Sequence, residues 1–187
     1  TIDGVVNATD VSSTSGTPTN HSVANFNDGT HYWNVTCIDD ASNTNSSETR
    51  SFTVDSTAPL VYLETPANNT IEKITNTITF SYNTTDVTSA VENCSLYIDE
   101  VLNDTNITIT EGASQNFVKT LANDYYNWSV SCDDYLGNTG DSETYYLNVS
   151  INAPIVTLNS PSADYYNDTS DPVSINFNWF EYFIVYN

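Results

Sequence analysis

The chain has 187 residues and a formal net charge of −21, which comes from 24 acidic side chains and only 3 basic ones. So few Lys and Arg residues cannot neutralise a phosphate backbone or hold an anionic membrane surface, which argues against nucleic-acid binding and electrostatic membrane attachment. Hydrophobic residues make up 39% of the chain and aromatic residues 12%, enough to build a core, which argues against general disorder as well.

Three segments recur along the chain at an offset of about 95 residues. Residues 33–37 and 128–132 share the pattern Trp-x-Val-x-Cys, residues 56–66 return as residues 151–161, and residues 78–83 return as residues 173–178. One shared offset indicates an internal repeat, and its period is the size of a small β-sandwich.

Within one period, alternation of apolar and polar residues predicts strands and no helix. Every second residue is apolar from Ile78 to Tyr82, from Cys94 to Ile98, from Trp128 to Cys132 and from Tyr145 to Val149. Side chains that alternate in this way place one set in a core and the other in water. Proline on both sides of residues 60–63 predicts an edge strand there. The predicted fold class is all-β, a sandwich.

The repeat divides the chain unevenly. Residues 59–153 correspond to one complete domain, residues 1–58 to the C-terminal half of a preceding domain, and residues 154–187 to the N-terminal strands of a further one. A half-sandwich leaves its core open to water and is not stable by itself. Two alternatives follow: the final strands of one copy are donated to the N-terminal half of the next, or the chain is a window of a longer tandem array. The absence of Met predicts a mature or excised segment.

The C-terminal residues 177–186 are almost entirely aromatic and aliphatic. A free end of this composition would be an exposed adhesive strand, so we expect it to be buried in a neighbouring copy. The expected polymer-interface residues are Phe177, Trp179, Phe180, Phe183 and Val185.

Two tryptophans recur at the period of the repeat, Trp33 and Trp128. Both lie on the inward parity of their predicted strands, which predicts core packing in preference to a carbohydrate-binding platform.

The sequon Asn-x-Ser/Thr occurs twelve times, about twice the number expected from random placement. Five of these Asn residues fall on predicted strands with the parity opposite to the core, so we expect several sequons to carry N-linked glycan on a secreted chain. The twelve candidate sites are Asn7, Asn20, Asn34, Asn45, Asn68, Asn83, Asn93, Asn103, Asn106, Asn127, Asn148 and Asn167.

The chain has three cysteines. Cys94 and Cys132 fall in the complete domain, both inward by parity, and a bridge between them is the expected pairing in a secreted acidic domain. Cys37 is the counterpart of Cys132, and no cysteine stands where its own partner should be. It is expected to be either a buried free thiol or one whose partner lies beyond the chain.

Catalysis is not predicted. The two histidines, His21 and His31, belong to the incomplete N-terminal half, and no nucleophile elbow or phosphate-binding glycine loop is present. Abundant carboxylates leave a glycosidase pair open, but none lies in a cleft motif.

Acidic pairs follow both copies of the repeated Cys, and could supply oxygen ligands to Ca²⁺. The candidate ligands are Asp39, Asp40, Asp133 and Asp134, with Asp55 nearby at the predicted domain junction. One interpretation of these residues is a domain joint stiffened by calcium. The other, which we favour, is a solvated acidic turn in which Asp and Asn side chains cap their own backbone. No other cofactor is expected.

Residues 33–37, 128–132 and 94–99 and the Ala-Pro junctions at 58–59 and 153–154 resemble the tandem immunoglobulin-like repeats of archaeal cell-surface proteins. The resemblance implies a glycosylated, extracellular β-sandwich array. It departs from the immunoglobulin pattern at Cys94, which falls on the third recognisable strand, so the bridge is expected to join neighbouring strands of one sheet. The expected function is a structural subunit of an adhesive filament whose partners are copies of itself, with a monomeric adhesin or surface-layer stalk as the alternative. A lectin is a more distant one.

Overall fold

The computed structural model describes residues 1–163, 166 and 172–180. Every regular element in these residues is a β-strand, which confirms the prediction of an all-β chain, and none of them forms a helix that could cross a membrane. The strands are β1 (Gly29–Trp33), β2 (Thr36–Ile38), β3 (Thr44–Ser46), β4 (Arg50–Val54), β5 (Leu60–Thr65), β6 (Thr70–Glu72), β7 (Thr77–Thr85), β8 (Val91–Ile98), β9 (Val101–Asn106), β10 (Gln115–Thr120), β11 (Asp124–Asp134), β12 (Thr139–Asp141), β13 (Tyr145–Val149), β14 (Ile155–Ser160) and β15 (Asn176–Phe180).

Strands β5 to β13 form two sheets. One has the order β10-β7-β5, and the other has the order β6-β13-β11-β8-β9, with β12 paired to the end of β11. In immunoglobulin nomenclature, the first sheet contains strands A (β5), B (β7) and E (β10), and the second contains strands C (β8), F (β11) and G (β13). Strands A, B and E thus face strands C, F and G, as in immunoglobulin-like sandwiches. The predicted sandwich is therefore confirmed in this part of the chain. β5 lies at the edge of its sheet, as the flanking prolines predict.

The core lies between these two sheets and follows the predicted alternation. Alternate residues from Ile78 to Tyr82 on β7 and from Trp128 to Cys132 on β11 are at most 3% exposed. The ring centroids of Phe80 and Trp128 are 5.0 Å apart in an edge-to-face contact that joins the sheets. Such a contact contributes beyond the apolar area that it buries.

The N-terminal strands form two-stranded sheets that repeat the pairing of the second sheet of the sandwich. β1 pairs with β4 and β2 with β3, and Trp33 stands opposite Arg50 as Trp128 stands opposite Tyr145. Trp128 is fully buried, whereas Trp33 is 38% exposed. Trp33 is exposed in the single chain because no second sheet covers its strand within the described residues, so core packing of Trp33 stays a prediction that requires such a sheet.

The C-terminal strands repeat the pairing of the first sheet. Ile155 pairs with Phe180 on β14 and β15, just as Leu60 pairs with Thr85 on β5 and β7. Both pairs of strands also contain an irregularity at the corresponding position, before Ser160 and before Thr65. The residues that pair on β14 and β15 thus lie 95 positions after those that pair on β5 and β7. Among the described residues, however, β14 and β15 form a two-stranded sheet with no second layer packed on it.

Candidate functional site

The segment between β4 and β5 is fixed from its N-terminal side by one carboxylate. Asp28 accepts hydrogen bonds at Oδ1 from the backbone N of Ser56 (3.0 Å) and at Oδ2 from the hydroxyl of Thr57 (2.5 Å). The Thr57 hydroxyl, followed by that of Ser56, lowers the pKa of Asp28 because both bonds favour the charged form. The segment is thereby attached to the loop that precedes β1.

The same segment is also held against the sandwich. The side-chain Nδ2 of Asn138 donates to the backbone carbonyl of Asp55 at 3.3 Å. Gly140 on β12 approaches the backbone of Pro59 so closely that a Cβ at Gly140 would lie 1.9 Å from the Pro59 carbonyl oxygen. Only glycine permits this approach, so residues 55–59 form a joint with contacts on both sides.

Three carboxylates converge at this joint. Asp55 lies in the joint, Asp86 follows β7, and Asp134 ends β11. One carboxylate oxygen from each lies within 4.8 Å of the other two. Asp134 is 1% exposed, and the other two residues are partly buried. We call these three residues the carboxylate cluster.

Asp134 is held in its charged form by the turn that follows it. Its Oδ1 accepts from the backbone N atoms of Leu136 (2.8 Å) and Asn138 (2.9 Å), and its Oδ2 accepts from Asn138 Nδ2 (2.8 Å). Burial by itself raises the pKa of Asp134, but these hydrogen bonds outweigh it and leave the pKa at about 2. The buried residue therefore carries a negative charge at neutral pH.

The other two members of the cluster each use one oxygen to cap a turn. Asp55 Oδ1 accepts from the backbone N of Thr57, and Asp86 Oδ1 accepts from those of Thr88 and Ser89. The second oxygen of each, Asp55 Oδ2 and Asp86 Oδ2, is buried and has no hydrogen-bond partner among the described residues. Buried polar atoms without partners are rare and each calls for an explanation.

The structure regroups the acidic candidates of the sequence. Of the four, only Asp134 joins the cluster; Asp133, the next residue back on β11, points to the other face and accepts from the Thr139 hydroxyl. Asp39 makes the same turn bonds to Asn43 that Asp134 makes to Asn138, but Asp39 and Asp40 are exposed. Asp86 was missed because nothing in its local sequence indicates that β7 ends beside Asp134.

The predicted disulfide between Cys94 and Cys132 is present and confirmed. The two residues stand directly opposite each other on β8 and β11, with their Cα atoms 4.0 Å apart, so the bridge joins neighbouring strands of one sheet. Cys37 is free and exposed, not buried as expected for a free thiol, since the layer that would cover it is not among the described residues.

All the described sequon residues are exposed or partly exposed. Asn34, expected on a strand, lies between β1 and β2, and Asn167 lies outside the described residues. Asn106 already uses Nδ2, the atom that would carry glycan, to donate to Tyr82 and Gln115, and Asn83 buries its Oδ1. These two positions are therefore the least suited of the set to modification.

The exposed apolar side chains of β15 lie on both of its faces. Phe177 (55% exposed) and Trp179 (58%) share one face, while Phe180 (61%) lies on the other because alternate residues of a strand point in opposite directions. Phe183 and Val185, the other expected interface residues, lie outside the described residues.

Comparison with known proteins finds only distant structural neighbours. No protein-family model matches the chain, and no curated protein matches it. Among solved structures, fibronectin(III)-like modules of Clostridium thermocellum CbhA are 15% identical, with a TM-score of 0.43 over 50% of this chain and 99% of that one. An engineered protein is 15% identical, with a TM-score of 0.37 over 50% of this chain and 20% of that one.

Proposed function

We propose that the chain is a structural subunit of an extracellular, glycosylated filament. In this proposal its subunits join head to tail through a split immunoglobulin-like domain to which β14 and β15 are donated. The filament serves adhesion or surface contact mechanically, without catalysis. The alternative is a stalk segment of a monomeric adhesin or surface-layer protein.

One observation carries the proposal: core positions of the complete sandwich have exposed counterparts at both ends of the chain. Phe80 and Trp128 are fully buried, whereas residues 95 positions away, Ile175 and Trp33, are 72% and 38% exposed. Large apolar surface left in water marks a face that another layer covers.

The two ends are complementary in kind. β14 and β15 have the pairing of the sheet that contains β5 and β7, while β1 to β4 have the pairing of the opposing sheet. One end of a chain therefore has the layer that the other end lacks. Because the two surfaces differ, contact between copies is heterologous and continues as an open filament.

Secretion and glycosylation are supported by the disulfide and by the exposed sequons. A disulfide between buried cysteines is typical of oxidising compartments. Sequon residues such as Asn68, Asn103 and Asn45 are exposed and available to glycan. Neutral sugar on a chain of net charge −21 would give a hydrated, repulsive surface that resists nonspecific association.

Cysteine crosslinking between copies tests the split domain. Because Trp128 packs on Phe80, Ile175 of one copy should pack on Trp33 of the next. In a Cys37→Ser background, chains carrying Trp33→Cys and chains carrying Ile175→Cys should be joined by a bifunctional thiol-reactive reagent that spans about 10 Å, the distance between the packed sheets of a sandwich. Tyr32→Cys, on the opposite face of β1, is the matched control and should not crosslink to Ile175→Cys.

Electron microscopy of the purified protein separates filament from stalk. The filament predicts helical or linear polymers with a repeat of about two sandwich domains. Monomers at all concentrations, together with no specific crosslink, would refute the filament and favour the stalk, in which further residues of a longer chain complete both ends.

A further inference from the structure

We propose that the carboxylate cluster of Asp55, Asp86 and Asp134 binds one Ca²⁺ ion, which fastens the joint at residues 55–59 to the sandwich. The three ligands come from the joint, the β7–β8 turn and the β11–β12 turn. All belong to one chain, so the site does not depend on the assembly proposed above.

The first argument is charge. Carboxylate oxygens of the three residues lie within 4.8 Å of one another, and like charges this close repel strongly where water is excluded. The ion pairs of the described residues place Arg50 on Glu48 and Lys119 on Asp104, away from the cluster. No ion pair within the described part of the chain joins a basic side chain to these carboxylates, so a bound cation would compensate the charge that their hydrogen bonds leave.

The second argument is independent of proximity. Asp55 Oδ2 and Asp86 Oδ2 are buried oxygens without a hydrogen-bond partner among the described residues. Each would lose its hydration on folding and gain nothing in return, which is costly for a charged group. Coordination to a cation satisfies both atoms, whereas their Oδ1 atoms already cap turns.

The donor set selects the ion. Carboxylate oxygens without any His or Cys favour a hard cation over zinc or copper. Ca²⁺ takes about six to eight oxygen ligands at about 2.3–2.6 Å in flexible geometry, so three carboxylate oxygens that lie within 4.8 Å of one another can share one ion. Mg²⁺ binds at about 2.0–2.1 Å, requires near-ideal octahedral geometry and gives up its water reluctantly, so a site with three protein carboxylates suits it less well than Ca²⁺. Backbone carbonyls and water can supply the remaining Ca²⁺ ligands.

Binding would couple two parts of the chain. The joint is attached to the N-terminal part by Asp28 and to the sandwich by Asn138. A cation shared by Asp55 and the two turns adds a link that breaks only when the joint separates from the sandwich. Ca²⁺ is therefore expected to reduce bending at residues 55–59.

Calorimetric titration of the full chain, freed of metal with EDTA, tests the site with CaCl₂ and MgCl₂ at constant ionic strength. We expect one Ca²⁺ per chain and weaker Mg²⁺ binding. Asp55→Asn and Asp86→Asn keep the capping Oδ1 and replace the unpartnered oxygen, so each should weaken Ca²⁺ binding by about tenfold or more. Asp39→Asn, which alters the same kind of turn outside the cluster, is the matched control and should bind as the parent chain does.

Thermal melting distinguishes a binding role from a structural one. In EDTA the Asp86→Asn chain should melt at or above the temperature of the parent, because the change removes repulsion. In saturating Ca²⁺ it should melt below the parent, since the parent alone gains from binding. Absence of saturable Ca²⁺ binding, equal or tighter Mg²⁺ binding, or Asn variants that bind Ca²⁺ like the parent would each overturn the proposal.

Discussion

Trp128 and Trp33 occupy the same place in two regions that share a strand pattern but differ in burial. Trp128 lies between two sheets and is fully buried, whereas Trp33 lies on a two-stranded sheet and is 38% exposed. The pairing around them is the same, since Trp128 stands opposite Tyr145 and Trp33 opposite Arg50. Strand pairing is thus a local property of each region, while a core requires that both sheets be present.

The polar turns support the same distinction. Val35 and Ser47 exchange hydrogen bonds as Val130 and Ser142 do, through the backbone and the serine hydroxyl in both pairs. Neighbouring residues satisfy these groups whether or not a second sheet is present. Five measurements, in decreasing order of expected effect, sharpen the comparison between the sandwich and the two-stranded sheets at the two ends of the chain.

The largest effect is expected from removing the buried tryptophan. Trp128→Ala should lower the free energy of unfolding by about 3–5 kcal/mol, because it leaves a cavity against Phe80. Trp33→Ala should cost about 1 kcal/mol or less in the unassembled chain. Denaturant unfolding followed by circular dichroism measures both, and equal losses would contradict the view that only one of the two regions has a core.

Removal of the disulfide should come next. Cys94 and Cys132 are 38 positions apart, a loop that predicts about 4 kcal/mol in the chain-entropy model, with about 2–4 kcal/mol the usual measured range. Replacement of both Cys94 and Cys132 by Ala should therefore lower the free energy of unfolding by about 2–4 kcal/mol in the same assay. Cys37→Ala is the control and should leave stability nearly unchanged, since this thiol is exposed and free.

A methyl group at the joint should have a somewhat smaller effect. Gly140→Ala would place Cβ 1.9 Å from the Pro59 carbonyl oxygen, and relief requires backbone movement, at a cost of about 1–3 kcal/mol. Proteolysis should then cut residues 55–59 faster. Gly112→Ala is the control for loss of a glycine as such, because Gly112 has open space around it and a positive φ. Equal cleavage of residues 55–59 in both variants would count against the close approach of Gly140 to Pro59.

Acid should weaken the stabilisation that Asp134 provides. Its pKa is about 2 in the fold against an ordinary value of 3.8, so its contribution is complete above pH 3.8 and is lost as the pH falls through about 2. In EDTA, the stability difference between the parent and Asp134→Asn should shrink by on the order of 2 kcal/mol across that range. Asp39→Asn, at the exposed counterpart, should show a smaller pH dependence.

The smallest expected effect is a titration at the N-terminal sheet. His31 Nδ1 lies 2.7 Å from Asp3 Oδ2 and its Nε2 lies 2.8 Å from the Asn27 carbonyl; these hydrogen bonds, that to Asp3 first, raise the His31 pKa above 6.5. Any stabilisation is thus complete below pH 6.5 and lost as the pH rises through the folded pKa. NMR titration should show this pKa falling in Asp3→Asn and unchanged in Asp10→Asn.

The sequence was most informative where contacts are local or periodic. Alternation placed Phe80, Trp128 and Val130 on inward faces, and parity paired Cys94 with Cys132. Only part of the candidate cation site could be predicted from such local patterns. Asp134 stands out as an acidic residue after a repeated Cys, but Asp86 has no local signal, because its role depends on where β7 ends relative to β11.

By itself, the sequence determined the alternating core strands, the recurrence of residues at an offset of about 95, the disulfide and the turn-capping Asp and Asn residues. These depend on side-chain alternation and on hydrogen bonds between neighbours in the chain. Only the tertiary structure decided that Trp33 is exposed, that Gly140 contacts Pro59 and that Asp55, Asp86 and Asp134 converge. Each of these depends on how separate strands and loops pack, and a strand pattern repeats equally well with or without a sheet to cover it.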